Sequence, residues 1–279
     1  MFVNSVLDNL SSVDVLVVSP DKIQNNIRSK IDNKGNEGAV IFLENYFPLN
    51  YDYSDLSSFI SKSQFYRFLR FLIGEEYFRG YSEAYIGDVD IYYPAQIDTI
   101  VPYLFEREKS ITKENTLSFN NILRTDVNGD VTYRLGGLHY ICVDEYYNLF
   151  GNIIVNIQNN KNAFMQLIEK ARNNIHENEY LRNEHLLFAL LINDDNINSM
   201  KHLLNKNRRE LYGLHLAPLR NKNHSIDSRG LFGKILDEKD QQKILVDLIK
   251  FLIRHRMYNY MCQYEMLRLY YYMFFLFIR

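Results

Sequence analysis

The sequence predicts an α/β chain: a mixed, mostly parallel, doubly wound sheet flanked by helices, with a helical extension at the C-terminus. Three observations predict it. Residues 13–43 alternate strand, helix and strand; residues 61–86 read as an amphipathic helix followed by an aromatic strand; and residues 234–279 carry a helical pattern. Strands that alternate with helices imply a largely parallel sheet between helical layers.

Residues 13–19 are apolar and β-branched and are stopped by Pro20, which predicts a buried strand. A helix is expected over 21–31, turn residues fill 33–38, and a second strand covers 39–43. Ser54 or Asp55 is expected to cap a short helix. Over 61–73, Phe65, Phe68, Leu69 and Leu72 fall on one face at helical spacing, with Gly74 as the stop. A strand follows at 81–86. Residues 94–108 are expected to be helical, 112–121 a loop or short strand, and Val127-Asn128-Gly129-Asp130 the turn of a hairpin. Residues 133–143 set Gly136 and Gly137 before an apolar strand, and two readings stand: close backbone approach to a ligand or strand, and a β-bulge. Helices are expected at 144–150, 160–173, 184–193 and 196–204, then a short strand or turn at 211–220 and a polar loop to Arg229. The tail presents an apolar face through Ile244, Leu245, Leu248, Phe251 and Leu252, so a boundary is placed between a domain of 1–233 and an extension of 234–279.

A length of 279 residues suits one large domain with an appendage. The 32 basic and 34 acidic residues leave a net charge of −2, too weak a field to recruit a polyanion, so nucleic acid is not an expected partner. Cys142 and Cys262 form no metal-binding or disulfide pattern, and the N-terminus lacks a secretory signal. A cytoplasmic location is expected. The uncharged stretch 269–278 is too short to span a bilayer. From residue 250 on, Lys250, Arg254, Arg256, Arg268 and Arg279 against the single Glu265 nonetheless make the end of the tail basic. Such a tail suits peripheral attachment to an anionic inner membrane face, or equally a packing helix or a homo-oligomer interface.

Chemistry concentrates at Gly87-Asp88-Val89-Asp90, where the 81–86 strand ends. Residues i and i+2 of extended chain share a face, so Asp88 and Asp90 suit one hard cation with positions left for phosphate oxygens. In doubly wound sheets, ligands gather outside the carboxyl ends of strands. Arg67 and Arg70, three residues apart on an otherwise apolar helix, fit phosphate or sugar hydroxyls, or reach solvent from a helix edge.

In order along the chain stand Ser63-Gln-Phe-Tyr-Arg-Phe-Leu-Arg70, Ala84-Tyr-Ile-Gly-Asp-Val-Asp-Ile91 and Arg134-Leu-Gly-Gly-Leu-His-Tyr140 with Asp144-Glu-Tyr-Tyr147. After them come Asn183-Glu-His-Leu-Leu-Phe188 and Tyr212-Gly-Leu-His-Leu216. Together these resemble a GT-A-type, D-x-D-containing bacterial glycosyltransferase of the capsule and lipopolysaccharide kind, whose sheet is Rossmann-like. The resemblance implies transfer of a sugar from a nucleotide diphosphate donor, such as a UDP-sugar, to a cell-surface glycan or lipid-linked acceptor. It implies Mn²⁺ or Mg²⁺ held by Asp88, Asp90 and His215, stabilising the diphosphate leaving group as a Lewis acid, with the imidazole favouring Mn²⁺. Asp90 then counts as catalytic as well. By the same resemblance Arg67 and Arg70 face the donor, Gly136, Gly137 and His139 line the sugar pocket, and Glu184 is the acceptor's base if the enzyme inverts, or an orienting group if it retains. Two other classes compete. One is a non-catalytic interaction or membrane-docking protein that works through its aromatic, basic tail. The other is a metal-dependent phosphohydrolase or nucleotidyltransferase, which calls for more acids near Asp88 than the sequence supplies.

Overall fold

A computed structural model describes residues 4–5, 8, 13–29, 40–86, 91–92, 118–120, 123–125, 130–136, 139–175, 179–193, 214–215 and 238–255. In chain order the elements begin with β1 (Val15–Val18), α1 (Asn25–Arg28), β2 (Val40–Leu43), α2 (Lys62–Leu69), β3 (Glu83–Ile86), β4 (Ile91–Tyr92) and β5 (Phe119–Asn120). They continue with β6 (Leu123–Thr125), β7 (Val131–Leu135), β8 (His139–Cys142), α3 (Val143–Asn159), α4 (Lys161–Asn173), α5 (Asn183–Leu191), β9 (Leu214–His215) and α6 (Glu238–Arg254). The fold is mixed α/β. It divides into two compact units: Met1–Asn45, Val89–Leu104 and Arg208–Arg279 form the first, Tyr46–Asp88 and Phe105–Asn207 the second.

In the first unit the expected β-α-β pattern is present. β1 and β2 pair in parallel, in register from Val15 opposite Val40 to Val18 opposite Leu43. The connecting helix is shorter than the sequence suggested, and Glu44 accounts for part of this. Its carboxylate accepts from the backbone N–H of Ile23 at 2.6 Å and pairs with Arg28 at 2.6 Å, satisfying the chain ahead of α1 without a further helical turn. The Arg28 hydrogen bond holds the Glu44 carboxyl below its ordinary range. α6 buries Leu248, Phe251 and Leu252 of the predicted face, together with Ile249. Where it ends, His255 Nε2 lies 2.8 Å from Asp8 Oδ2 and its Nδ1 3.0 Å from Asn4 Nδ2, which ties the helix to the start of the chain.

The second unit corrects one expectation. β3 does not extend a parallel sheet: it pairs antiparallel with β8, from Glu83 opposite Cys142 to Ile86 opposite His139, and β5 lies antiparallel on the far side of β8. β4 with β9 and β6 with β7 are antiparallel too, so among the described residues β1 and β2 alone are parallel. Periodicity marks a strand but carries no record of its partner's direction. The hairpin expected around 127–130 is borne out by its strands: β6 and β7, on either side, pair antiparallel. That hairpin is irregular: Leu123 faces Leu135 and Thr125 faces Val131, leaving a bulge in β7, where Tyr133 has φ of 51°.

A file of rings forms this unit's core and explains the use of Phe and Tyr without Trp. Phe65 and Phe68 of α2 each stack on Phe164 of α4, at centroid distances of 5.9 and 5.7 Å. The file runs on through Phe71, His139, Phe119 and Tyr146 to Phe150. Each ring contributes by apolar burial, about 1.5–3 kcal/mol for a Phe, and by edge-to-face or offset geometry. α3 runs through Gly151 to Asn159, well beyond the expected stop at 150, because Ile154 and Ile157 are buried by its continuation. Its Tyr147 hydroxyl and Gln158 amide donate to the carbonyls of Ile73 and Leu72, closing the 3-10 turn that follows α2. The short helix expected at Ser54 or Asp55 is a 3-10 turn, Tyr53–Leu56, with no side-chain cap.

The helices expected at 94–108 and 196–204, the loop to Arg229, the 233/234 boundary and the tail beyond 255 lie outside the described residues. Among the described residues no helix is long and apolar enough to cross a membrane.

Candidate functional site

The segment with the predicted metal ligands is bracketed by described strands. Asp88 and Asp90 lie outside the described residues, as does Gly137. β3 ends at Ile86 just before them, and β4 begins at Ile91 just after. The β4–β9 ladder sets Ile91 opposite His215, the third predicted ligand. Two stretches far apart in sequence thus meet at the residue that follows Asp90.

In the second unit the predicted sugar-pocket residues diverge. The register of β3 on β8 brings Ile86, two residues before Asp88 in sequence, opposite His139, two residues after Gly137. Gly136 is buried at the end of β7. His139, however, has no exposed surface and is enclosed by Phe71, Phe119 and Tyr146 at centroid distances of 5.6, 5.5 and 5.4 Å. Burial, helped by the nearby Arg70 cation, lowers its pKa to about 3. The imidazole is neutral and belongs to the core: three rings enclose it where the sequence had set it in a sugar pocket. Arg70 lays its guanidinium over Phe71 at 4.8 Å, and Arg67 is exposed one turn earlier, in the last turn of α2.

A second constellation gathers at the start of α5. Glu184 stands in its first turn, where the helix dipole favours a carboxylate. Its Oε2 lies 3.9 Å from Arg134 Nη1 on β7, both side chains being mostly buried, and Arg134 Nε donates to Thr132 Oγ1 at 3.3 Å. Next to Glu184, His185 is 1% exposed. Its Nδ1 accepts from the backbone N–H of Arg182 at 3.0 Å, so the neutral ring carries its proton on Nε2, which faces Glu179 Oε2 at 3.5 Å. Burial, and then the charge of Arg134, hold His185 below its ordinary pKa against the opposing pull of Glu179. Gln64 of α2 accepts from the Asn183 N–H at 2.9 Å, occupying another free donor of this helix end. At the other end Lys170 donates to the carbonyls of Ala189 and Ile192 at 2.7 and 3.0 Å. α5 is therefore fastened at both ends, and Glu184 is mounted on a fixed support.

Sequence reasoning singled out Glu184 but not Arg134, Gln64 or His185. Each stands inside a segment the sequence had marked, yet the pairing of Arg134 with Glu184 depends on how β7 meets α5. Chemically the cluster offers a carboxylate held by a guanidinium, which can accept a proton from a hydroxyl or align one. Among the described residues no group of three or more His, Cys, Asp or Glu side chains converges on a metal position. No family model matches the sequence, and neither a curated protein nor a solved structure matches it.

Proposed function

We propose that the chain is a metal-dependent glycosyltransferase that moves a sugar from a nucleotide diphosphate donor to a glycan or lipid-linked acceptor. The observation that carries this reading is the ladder contact of Ile91 with His215. It supports the pairing of Asp90 with His215, since Cα atoms of facing residues in an antiparallel ladder lie about 4.5–5.5 Å apart and Asp90 precedes Ile91 in the chain; Asp88 joins the set by its sequence spacing. Two carboxylates and one imidazole fit Mn²⁺, and tolerate Mg²⁺. When bound, the cation supplies Lewis-acid stabilisation to the departing diphosphate.

The chain's own groups do the rest. Asp88 and Asp90 hold the cation, and Arg67, exposed on α2, is free to approach donor phosphate. Glu184 serves the acceptor: in an inverting transfer it takes the hydroxyl proton, and in a retaining one it aligns the hydroxyl.

The test is a panel of nucleotide sugars incubated with the protein and Mn²⁺, reading release of the nucleoside diphosphate. At least one donor is expected to be hydrolysed and to raise the melting temperature only when metal is present. A panel in which no donor is hydrolysed and neither UDP nor GDP with Mn²⁺ raises the melting temperature removes the proposal.

A further inference from the structure

We infer that Arg134 is a positioning residue for Glu184, aimed at it by a bulge in β7 whose left-handed residue is Tyr133. The inference rests on the transferase reading for its functional meaning, but its physical content stands on geometry alone.

A regular strand sends successive side chains to opposite faces. β7 departs from this. Thr132 and Leu135 are buried while Tyr133 and Arg134, adjacent in sequence, are both half-buried. The ladder explains the slip, because β7 runs from Val131 to Leu135 while β6 runs only from Thr125 to Leu123. The excess chain is absorbed where Tyr133 adopts φ of 51°, a conformation costly for a bulky residue. Its ring packs edge-on against Phe188 of α5 at 5.5 Å, which anchors the bulge to the helix that carries Glu184. Directly after the bulge, Arg134 Nε donates to Thr132 Oγ1 at 3.3 Å and its Nη1 lies 3.9 Å from Glu184 Oε2.

What Arg134 does follows from where it sits. It lies beside the Glu184 carboxylate, so it orients that group toward the acceptor. Its own loss is therefore expected in kcat, with the donor KM little changed.

The experiment compares wild type with Arg134→Gln, Arg134→Lys, Tyr133→Asn and Tyr133→Val in the full-length protein, with folding checked by circular dichroism. Two readouts are independent of activity: the side-chain carboxyl ¹³C resonance of Glu184 and the imidazole titration of His185. Arg134→Gln is expected to move the first and raise the second. Arg134→Lys, which restores a cation, is expected to return both toward wild type. Asn tolerates positive φ and a β-branched Val does not, so Tyr133→Asn keeps the wild-type resonances and Tyr133→Val shifts them as Arg134→Gln does. With the donor found in the panel above, Arg134→Gln is expected to lower kcat at least about tenfold, a fraction of what a positioned base contributes. The pH profile is expected to change shape, with partial rescue by lysine. Unchanged Glu184 and His185 signals in Arg134→Gln overturn the inference whatever the activity. Shifted signals with an unchanged kcat and pH profile overturn the positioning role. Shifted signals in Arg134→Gln, when the wild type turns over no nucleotide sugar and neither UDP nor GDP with Mn²⁺ raises its melting temperature, overturn the transferase reading and leave Arg134's hold on Glu184 standing.

Discussion

The second unit seats its charged groups on a continuous file of buried rings, whereas the first unit's described strands pair only in twos and offer His215 from a strand of two residues. A charge cluster on a packed core is already organised, and substitutions there cost stability along with chemistry. A ligand on so short a ladder has little of that support. If the metal proposal holds, the cation itself supplies order, because a group that binds only the folded state stabilises it in proportion to its concentration over Kd. The contrast teaches that one chain can hold its polar side chains in two ways, on a packed core and on a short ladder.

The hardest blow to that contrast comes from the proposed ligands. Asp90→Ala or His215→Ala is expected to lower Mn²⁺-dependent donor hydrolysis by about 10³-fold, roughly 4 kcal/mol of transition-state stabilisation. The metal-dependent rise in melting temperature disappears with it, while metal-free stability stays within about 0.5 kcal/mol of wild type. Normal turnover in both variants would sink the metal site and leave the two-residue ladder without a functional reading.

In the second unit the large effect is structural. Phe65 is wholly buried against Tyr53, Phe164 and its neighbours on α2. Phe65→Ala is expected to destabilise this unit by about 3–5 kcal/mol, read as a shift in the urea midpoint of its tyrosine signal. If the loss is under 1 kcal/mol, the ring file is not the support it is taken to be.

Much of the fold was legible, and the failures are instructive. The parallel β1–β2 pair, the hairpin at Val127–Asp130 and the apolar faces of α2 and α6 follow from local pattern: β-branched runs, turn residues and helical spacing. The antiparallel partner of β3 was not legible, because pairing direction is decided by where β8 returns. Nor was the full length of α3, where burial of Ile154 and Ile157 outweighs the roughly 1 kcal/mol cost of Gly151. His139 was assigned to a pocket on its motif, although an imidazole between Leu138 and Tyr140 in an apolar strand is also what a core histidine looks like. Glu184 could be picked out by its place at a helix start. Its partner Arg134 could not, because the bulge that brings the two together falls at Tyr133, ahead of the glycines that signalled one.

Acid sharpens the comparison further. His139 stays neutral in the folded state down to about 3, whereas in the unfolded chain it takes up a proton near 6.5. Between those values the unfolded state binds more protons, so stability is present above 6.5 and is lost as the pH falls. At pH 5 the loss from this residue is about 2 kcal/mol. His185, also held below its ordinary value, adds a loss of the same sign. Denaturant midpoints at pH 7 and pH 5 should separate for wild type and draw together for His139→Gln. An equally steep acid slope in that variant would show that other groups set it.

The smallest effect tests how the packed unit fixes its helix ends. Ser61 caps α2 through Gln64 N–H, at 3.4 Å, longer than a well-formed hydrogen bond. Cap removal costs about 0.5–2 kcal/mol, and so long a contact belongs at the low end, about 0.5 kcal/mol for Ser61→Ala. Gln64→Ala reads out differently. It removes the amide oxygen that accepts from Asn183 at 2.9 Å and leaves a partly buried N–H at the start of α5, a penalty of about 1–3 kcal/mol. Urea melts of the two variants therefore rank the contacts. If Ser61→Ala costs as much as Gln64→Ala, α2 depends on its own cap, and its tie to the Glu184 helix is incidental. If Gln64→Ala costs clearly more and also shifts the Glu184 carboxyl resonance, α2 and α5 are one support, and the acceptor group is held by the same packing that builds the core.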